Sequence, residues 1–479
     1  MNNPPSRWSF PLVMNQWVPA GRPDGTPPLR SELVFGHPLQ ASRRKHDATE
    51  RLSAPTRASA LSLALGSIAL SLWAGVSLAD STSPGSDTFH VSGFGTVGIS
   101  QINEPAGWAY TRNLDQANNT SRLRADLDSR LGLQVNYRPT NQFELVGQAV
   151  ASREAPAANV GDAVELAFAA YRPDANWTLR AGRVNMDAFL LSDHRDVGIT
   201  YEYVRPPVEF YSQTPTSLDG VDVSRVWTFA DIQWRAKLFG GRSSAGTGAS
   251  RLNLDPLVGV MVSRESDGLL LRVSAVHTRF SNTLELLQPL ISGLHGVDAL
   301  PVPDVVAQAD ALASKLSYDG VSTNYIAAGV QYDRHAWLLT AEINHAQVND
   351  HPTSSFSSGY ASLGRRFGPV SVFGVESVAV RSVSALTTPD WSTPLAPFGP
   401  AVAQQAQYLA SVATLATNSL AGHQHTTSLG ARWDLTAQLA LKTQWDYIQT
   451  DANGGELWGT FTPGAGNANV ISVVLDFVF

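Results

Sequence analysis

The sequence predicts an all-β chain, a transmembrane antiparallel β-barrel of about sixteen strands. Three observations carry that prediction. Apolar and polar residues alternate over stretches longer than soluble strands usually run. The connections alternate between tight turns and long loops, and aromatic residues collect beside the tight turns.

The alternation is clearest over 122–138. Arg122, Arg124, Asp126, Asp128, Arg130, Gly132, Gln134 and Asn136 fall on one parity. Leu123, Ala125, Leu127, Ser129, Leu131, Leu133, Val135 and Tyr137 fall on the other. A strand sends successive side chains to opposite faces, so this spacing makes one polar and one apolar face. A helix would mix the two sets. The pattern recurs at Ile232, Trp234, Ala236 and Leu238, which alternate with Gln233, Arg235 and Lys237. It recurs again where Lys442, Gln444 and Asp446 oppose Leu441, Trp445 and Tyr447.

Segments of this kind lie near 88–101, 122–138, 142–152, 162–172, 175–183, 217–228, 231–243, 255–264, 268–280, 320–332, 336–347, 355–366, 370–384, 424–434, 438–449 and 468–479. One set of connections is short and built of turn formers, such as Arg138-Pro139-Thr140-Asn141 and Phe367-Gly368-Pro369. The other set is mostly long, at 102–121, 184–216, 281–319, 385–423 and 450–467. Short periplasmic turns and long extracellular loops are the pattern of an outer-membrane barrel. Within the long loops, 305–316 and 401–415 are Ala-rich with helical spacing.

Phe89, Tyr137, Phe143, Trp177, Trp227, Trp234, Tyr332, Trp337, Phe373 and Trp433 stand beside the tight turns, as a girdle at a membrane interface would. Charged residues make up only 16% of the chain and cysteine is absent, which excludes disulfide frameworks and thiolate metal sites. Residues 1–54 read as an extension ahead of an export signal. Residues 55–79 follow the pattern of a secretory signal, an apolar run from Ala60 to Leu72 and small residues ending at Ala79. The barrel is then 80–479. With eight basic and four acidic residues in 1–79, the remainder holds 26 basic and 37 acidic groups, a formal charge of -11. That sign speaks against nucleic acid as a partner.

Gly93-Phe94-Gly95-Thr96-Val97-Gly98 matches a dinucleotide fingerprint, but its glycines sit inside an alternating strand with no helix to follow. His423 and His425 alone fall short of a metal set. No cofactor, metal or catalytic triad is implied. The loop 184–216 is the richest segment, with Asp193, Arg195, Asp196, Arg205 and Glu209 among several tyrosines. Folded inward, it would narrow a lumen that sixteen strands otherwise leave open to water. Arg122, Arg124 and Arg130 would face it from the second strand, setting a transverse field across the constriction.

The strand Val91-Ser92-Gly93-Phe94-Gly95-Thr96-Val97-Gly98, the segment Ser129-Arg130-Leu131-Gly132-Leu133-Gln134 and the terminal Phe479 resemble proteobacterial outer-membrane porins. The stretch from Arg180-Ala181-Gly182-Arg183 to Val204-Arg205-Pro206-Pro207-Val208-Glu209 is similar to a little-characterised branch of them. The resemblance implies a trimeric pore for small hydrophilic solutes or ions in the Gram-negative outer membrane. It also implies a third loop folded into the barrel and a terminal Phe479 read by the barrel-assembly machinery. Two alternatives stand beside it: an outer-membrane lipid hydrolase, and a surface binding protein.

Overall fold

The computed structural model describes residues 88–479 apart from 106–107, 155–158, 213, 248–249, 283, 350, 452–453, 456–457 and 459–464. The expected extension 1–54 and the expected export signal 55–79 lie outside the described residues.

The described chain is a closed antiparallel barrel of sixteen staves. In chain order these are β1 (Phe89–Asn103), β2 (Leu123–Arg124 with Arg130–Tyr137), β3 (Phe143–Ala151), β4 (Val164–Tyr171), β5 (Trp177–Asn185) and β6 (Ser217–Phe229). They continue with β7 (Ile232–Thr247), β8 (Ser250–Ser266), β9 (Leu269–Phe280), β10 (Ser322–Arg334) and β11 (Trp337–Val348). The last five are β12 (Thr353–Phe367), β13 (Val370–Val383), β14 (Gly422–Thr436), β15 (Leu439–Thr450) and β16 (Gly466–Val478). Each expected strand has its counterpart. The tight turns are tight: at Ala230-Asp231 and Asp267-Gly268 both residues take positive φ, the backbone that joins twisted strands through two residues.

Closure pairs β1 with β16, with Gly95 opposite Phe477 and Thr96 opposite Asp476. The Phe479 ring lies where a side chain on Gly93 would stand, and the Phe477 ring covers Gly95 in the same way. The fingerprint-like glycines therefore make room for rings on the outer wall. That wall is apolar: Val97, Ile99, Leu133, Val273, Ile343, Leu429 and Ile471 are all exposed. The opposite parity of the same strands is polar and buried, including Arg130, Lys237, Arg272, Glu342, Lys442 and Asp476. A soluble barrel would reverse this pattern, because exposed side chains would then be the polar ones. Among the described residues no helix is long and apolar enough to cross a membrane.

Three features depart from the expectation. The second stave is interrupted at Ala125–Ser129, because its polar side chains serve contacts that a straight strand could not make. Asp128 turns in to meet Arg205 and Ser100, and Ser129 Oγ takes the N–H of Gly98 that the ladder leaves open. Leu127 turns inward with them and is buried. Phe373 also faces the lumen, packed over Gly430, and so stands apart from the girdle. Most of the other turn-side aromatics do lie outside, with Arg365 stacked on the rings of Trp337 and Phe367.

The third departure is in the external loops. One short helix, α1 (Val208–Tyr211), lies in the loop 184–216. Farther along the chain come α2 (Gln288–His295), α3 (Pro303–Leu316) and α4 (Pro400–Asn418). The last two match the Ala-rich segments, whereas α2 has too few apolar repeats to read as a helix. Together they bury Leu290, Leu294, Leu312, Trp391, Ala410 and their neighbours in a core of their own. Two loops that separate in the sequence thus form one helical cap.

Candidate functional site

The loop 184–216 enters the barrel and crosses it, meeting charged and polar side chains on the inner wall at three places. Nearest its start, buried Asp187 is ion-paired with Arg272 of β9 at 2.7 Å and with Arg235 and Lys237 of β7 at 3.3 and 3.5 Å. Lys237 also reaches Asp222 at 3.4 Å, and Asp222 is held by Arg180 at 2.6 Å. Four wall cations are thereby gathered around Asp187 and Asp222, with Asp193 3.7 Å from Arg235 as a third acid. Buried charges persist only when so paired.

Across the lumen, Glu342 of β11 accepts from the Leu190 N–H at 2.9 Å, from the Tyr360 hydroxyl at 2.8 Å and from the Tyr211 hydroxyl. Around them Phe189, Tyr201, Tyr203, Phe210, Tyr211, Tyr360 and Phe373 form one buried cluster, with Phe189 edge-on to Phe210 at 5.1 Å. The middle of the lumen is therefore a packed aromatic core.

At the far wall, Lys442 donates to the carbonyls of Gly198, Tyr201 and Tyr203 at 2.6, 2.7 and 2.9 Å, while Asp476 holds its charge at 2.9 Å. Arg205 lies between Asp128, at 2.7 Å, and Asp446. Gln424 and Ser377 donate to Glu209 at 2.6 and 2.8 Å.

These contacts locate each expected constriction residue. Arg205 and Glu209 are buried and bound to the wall as anchors of the loop. Arg130 is also buried, donating to the Asp196 carbonyl at 2.6 Å and the Tyr201 hydroxyl at 2.7 Å. Arg124 turns instead towards the first long connection, pairing with Asp126 at 3.1 Å and donating to the Tyr110 carbonyl. Arg122 is exposed and is not brought to the loop. Arg195 donates to the carbonyls of Tyr211 and Thr214 at 3.2 and 3.0 Å. Asp193 is exposed, held by Asn185 and lying 3.7 Å from Arg235. Asp196 lines an open space beside the loop.

That space is a cavity of about 60 Å3 beside the loop. Residues of β4 to β7 form one wall, and Arg112 and Asp115 of 102–121 and Glu154, which follows β3, line it as well. Burial, and then the charge of Glu154, push the Asp115 carboxyl up to about 7. Sequence reasoning missed Lys237, Arg272, Glu342 and Lys442 as partners of the loop, and Asp187 as its first anchor. Their signal was present, since each is a charge at inward parity or at the loop's own start.

No family model matches the sequence, and no curated protein does. Solved structures to which it is similar include an outer-membrane OmpT of Vibrio cholerae, at 10% identity and a TM-score of 0.46 over 82% of this chain and 99% of that one. The outer-membrane channel DcaP of Acinetobacter baumannii matches at 10% identity and 0.46, over 82% and 98%. An anion-selective porin from Comamonas acidovorans matches at 11% identity and 0.45, over 82% and 100%.

Proposed function

We propose that this chain is an outer-membrane channel for small hydrophilic solutes, with passage running beside the inward loop rather than through the centre of the lumen. One observation carries the reading: an apolar outer wall encloses a polar inner wall, and a tethered loop reduces the space between to a narrow charged cavity. An apolar band is what lipid contact requires, and a closed barrel leaves no unpaired edge within it. Export by the 55–79 signal, assembly through Phe479 and association as a homotrimer in the Gram-negative outer membrane belong to this proposal.

A hydrolase reading finds less support. His345 Nδ1 lies 2.8 Å from Ser357 Oγ on the outer wall. Both residues sit in paired strands, where backbone N–H groups are committed to the ladder and unavailable as an oxyanion hole.

The test is conductance in planar bilayers together with swelling of proteoliposomes in small sugars. Folded protein is expected to conduct weakly, well below an unobstructed barrel of this size. Folded, inserted protein that passes neither ions nor sugars would refute the channel reading.

A further inference from the structure

We infer that the outer wall, at its tight-turn end, holds the phosphate groups of anionic glycerophospholipids on Arg225, Arg264 and Arg365. The inference rests on the lipid-facing wall of the proposal above and not on conduction.

Parity places these arginines. Arg225 of β6 shares its face with exposed Val221, Arg264 of β8 with exposed Val260 and Val262, and Arg365 of β12 with exposed Leu363 and Phe367. All three therefore stand on the apolar outer wall. Each lies within five residues of a tight turn, at Ala230, Asp267 and Gly368 respectively. Among the described strand residues that close to a tight turn, the charged side chains at outward parity are these three and Arg334. None is an acid.

The same pairing occurs three times. Trp177 of β5 lies directly opposite Arg225, Trp234 of β7 opposite Arg264, and Trp337 of β11 opposite Arg365. The guanidinium carbon of Arg225 is 5.3 Å from the centre of the Trp177 ring. That of Arg365 is 4.9 Å from Trp337 and 5.2 Å from Phe367. A ring occupies one face of a guanidinium and leaves the N–H donors at its edge, where a phosphate accepts two of them in the plane. Among the described residues no carboxylate or carbonyl accepts from these three arginines, whereas Arg334 is paired with Asp267 at 2.7 Å.

Sign and depth select the occupant. A guanidinium on a lipid-facing wall costs most at the midplane and little at an interface, where its long stem lets the head reach polar groups. Tryptophan marks that interface, and Trp227 and Trp234, stacked at 6.4 Å, fill the wall between Arg225 and Arg264. The negative group at that depth is the lipid phosphate. Unpaired cations with no acid among them favour a headgroup whose phosphate is not offset by an amine. Short turns lie on the periplasmic side of an outer-membrane barrel, so the lipid is a glycerophospholipid of that leaflet. Arg225 stands opposite Ala236 and Arg264 opposite Trp234, which sets the two about 12 Å apart, room for two headgroups side by side.

The experiment is native mass spectrometry of the full-length protein, folded in detergent micelles and titrated with phosphatidylglycerol or with phosphatidylcholine of the same chains. Three phosphatidylglycerols per chain are expected, each bound about fivefold more tightly than phosphatidylcholine, the worth of one basic residue at an anionic surface. Arg225→Gln, Arg264→Gln and Arg365→Gln should each remove one, and the triple variant should treat the two lipids alike. Arg365→Lys keeps the charge without the planar fork and should fall between the native chain and Arg365→Gln. Lys315→Gln, the same loss of charge on α3, should keep all three, and heat-modifiable mobility on gels checks that each variant is folded. Equal retention of the two lipids by the native chain, or undiminished phosphatidylglycerol on the folded triple variant, would overturn the inference. A triple variant that changes the number of chains per particle and not the lipid count would give this face to a second copy, and would overturn it as well. Conductance with no lipid preference sinks these sites alone, and lipid preference without conductance sinks the channel alone.

Discussion

Arg205 offers the sharpest test of how the lumen is held closed. Its guanidinium is 2% exposed and is flanked by Asp128 and Asp446, whose side chains are 0% and 3% exposed. Arg205→Ala would leave two carboxylates buried without a counter-charge while the loop stays docked. Breaking one side of such a pair costs about 3–5 kcal/mol. Undocking lets water reach both acids, so the cost falls on the docked state alone. At about 1.4 kcal/mol per tenfold, the ratio of docked to undocked loop falls by roughly a thousandfold. The remaining anchors, at Asp187, Glu342 and Lys442, oppose full release, so the expected state is a loop that opens often. Single-channel recording should show larger and noisier openings, and limited proteolysis should cut between 184 and 216. The triple variant Arg205→Met, Asp128→Asn, Asp446→Asn removes the stranded charges and should restore the quiet state. Conductance and proteolysis unchanged in the folded single variant would refute the argument.

Four further outcomes are expected. Leu133→Arg, on the exposed outer wall, should destabilise the inserted barrel by up to about 2–4 kcal/mol in urea unfolding, whereas inward Gln134→Arg should be tolerated. Asp196→Asn should shift the reversal potential towards anions, while Arg130→Gln, whose charge is tied to the loop, should change conductance more than selectivity. Asp115 is raised to about 7, so its negative charge appears as pH rises from 6 to 8. Cation preference should grow over that window and flatten in Asp115→Asn; by linkage, the same raised carboxyl makes its stability contribution largest at low pH and lost as pH climbs towards 7. Trp391, fully buried at the centre of the cap and donating to Gln308 at 2.8 Å, should cost the cap about 3–5 kcal/mol as Trp391→Ala. Protease should then cut 384–421 while the barrel keeps its heat-modifiable fold.

The barrel was legible because its rule is local. A strand between lipid and a polar interior must alternate at every residue, and each turn announces itself through Gly, Pro and Asn. Parity alone therefore put Arg235, Lys237, Lys442 and Asp446 on the inner wall. The interruption at Ala125–Ser129 was not legible, since it depends on Arg205, some eighty residues away along the chain. The cap was only half legible for the same reason. Periodicity marks α3 and α4, but their joint burial of Trp391 depends on two loops meeting in space. For the constriction, residue types were informative and partners were not. Arg130, Arg205 and Glu209 look alike in the sequence to charges that face water, and only the fold separates them.

Charges on this inner wall have two fates, and the distinction is one of pairing rather than position. Asp128 is paired with the loop's Arg205, Lys442 and Glu342 are hydrogen-bonded by loop groups, and the loop's own Asp187 is paired with wall cations, so the energetic effect of these charges is to resist movement of the loop. Asp196 shows the other fate within the same loop. Its carbonyl is taken by Arg130, which fixes the backbone, and the residue lines the cavity. On the proposed path a solute would meet Asp196 and would not meet the charges that hold the loop. The same economy explains why the centre can be aromatic. Once ionic anchors at both walls fix the path of the loop, Phe189, Tyr203 and Phe210 need only exclude water between them, which leaves each anchor less screened. If the chain is the channel proposed above, selectivity and closure fall to different residues of one loop, and substitutions at either set should be separable in the same recording.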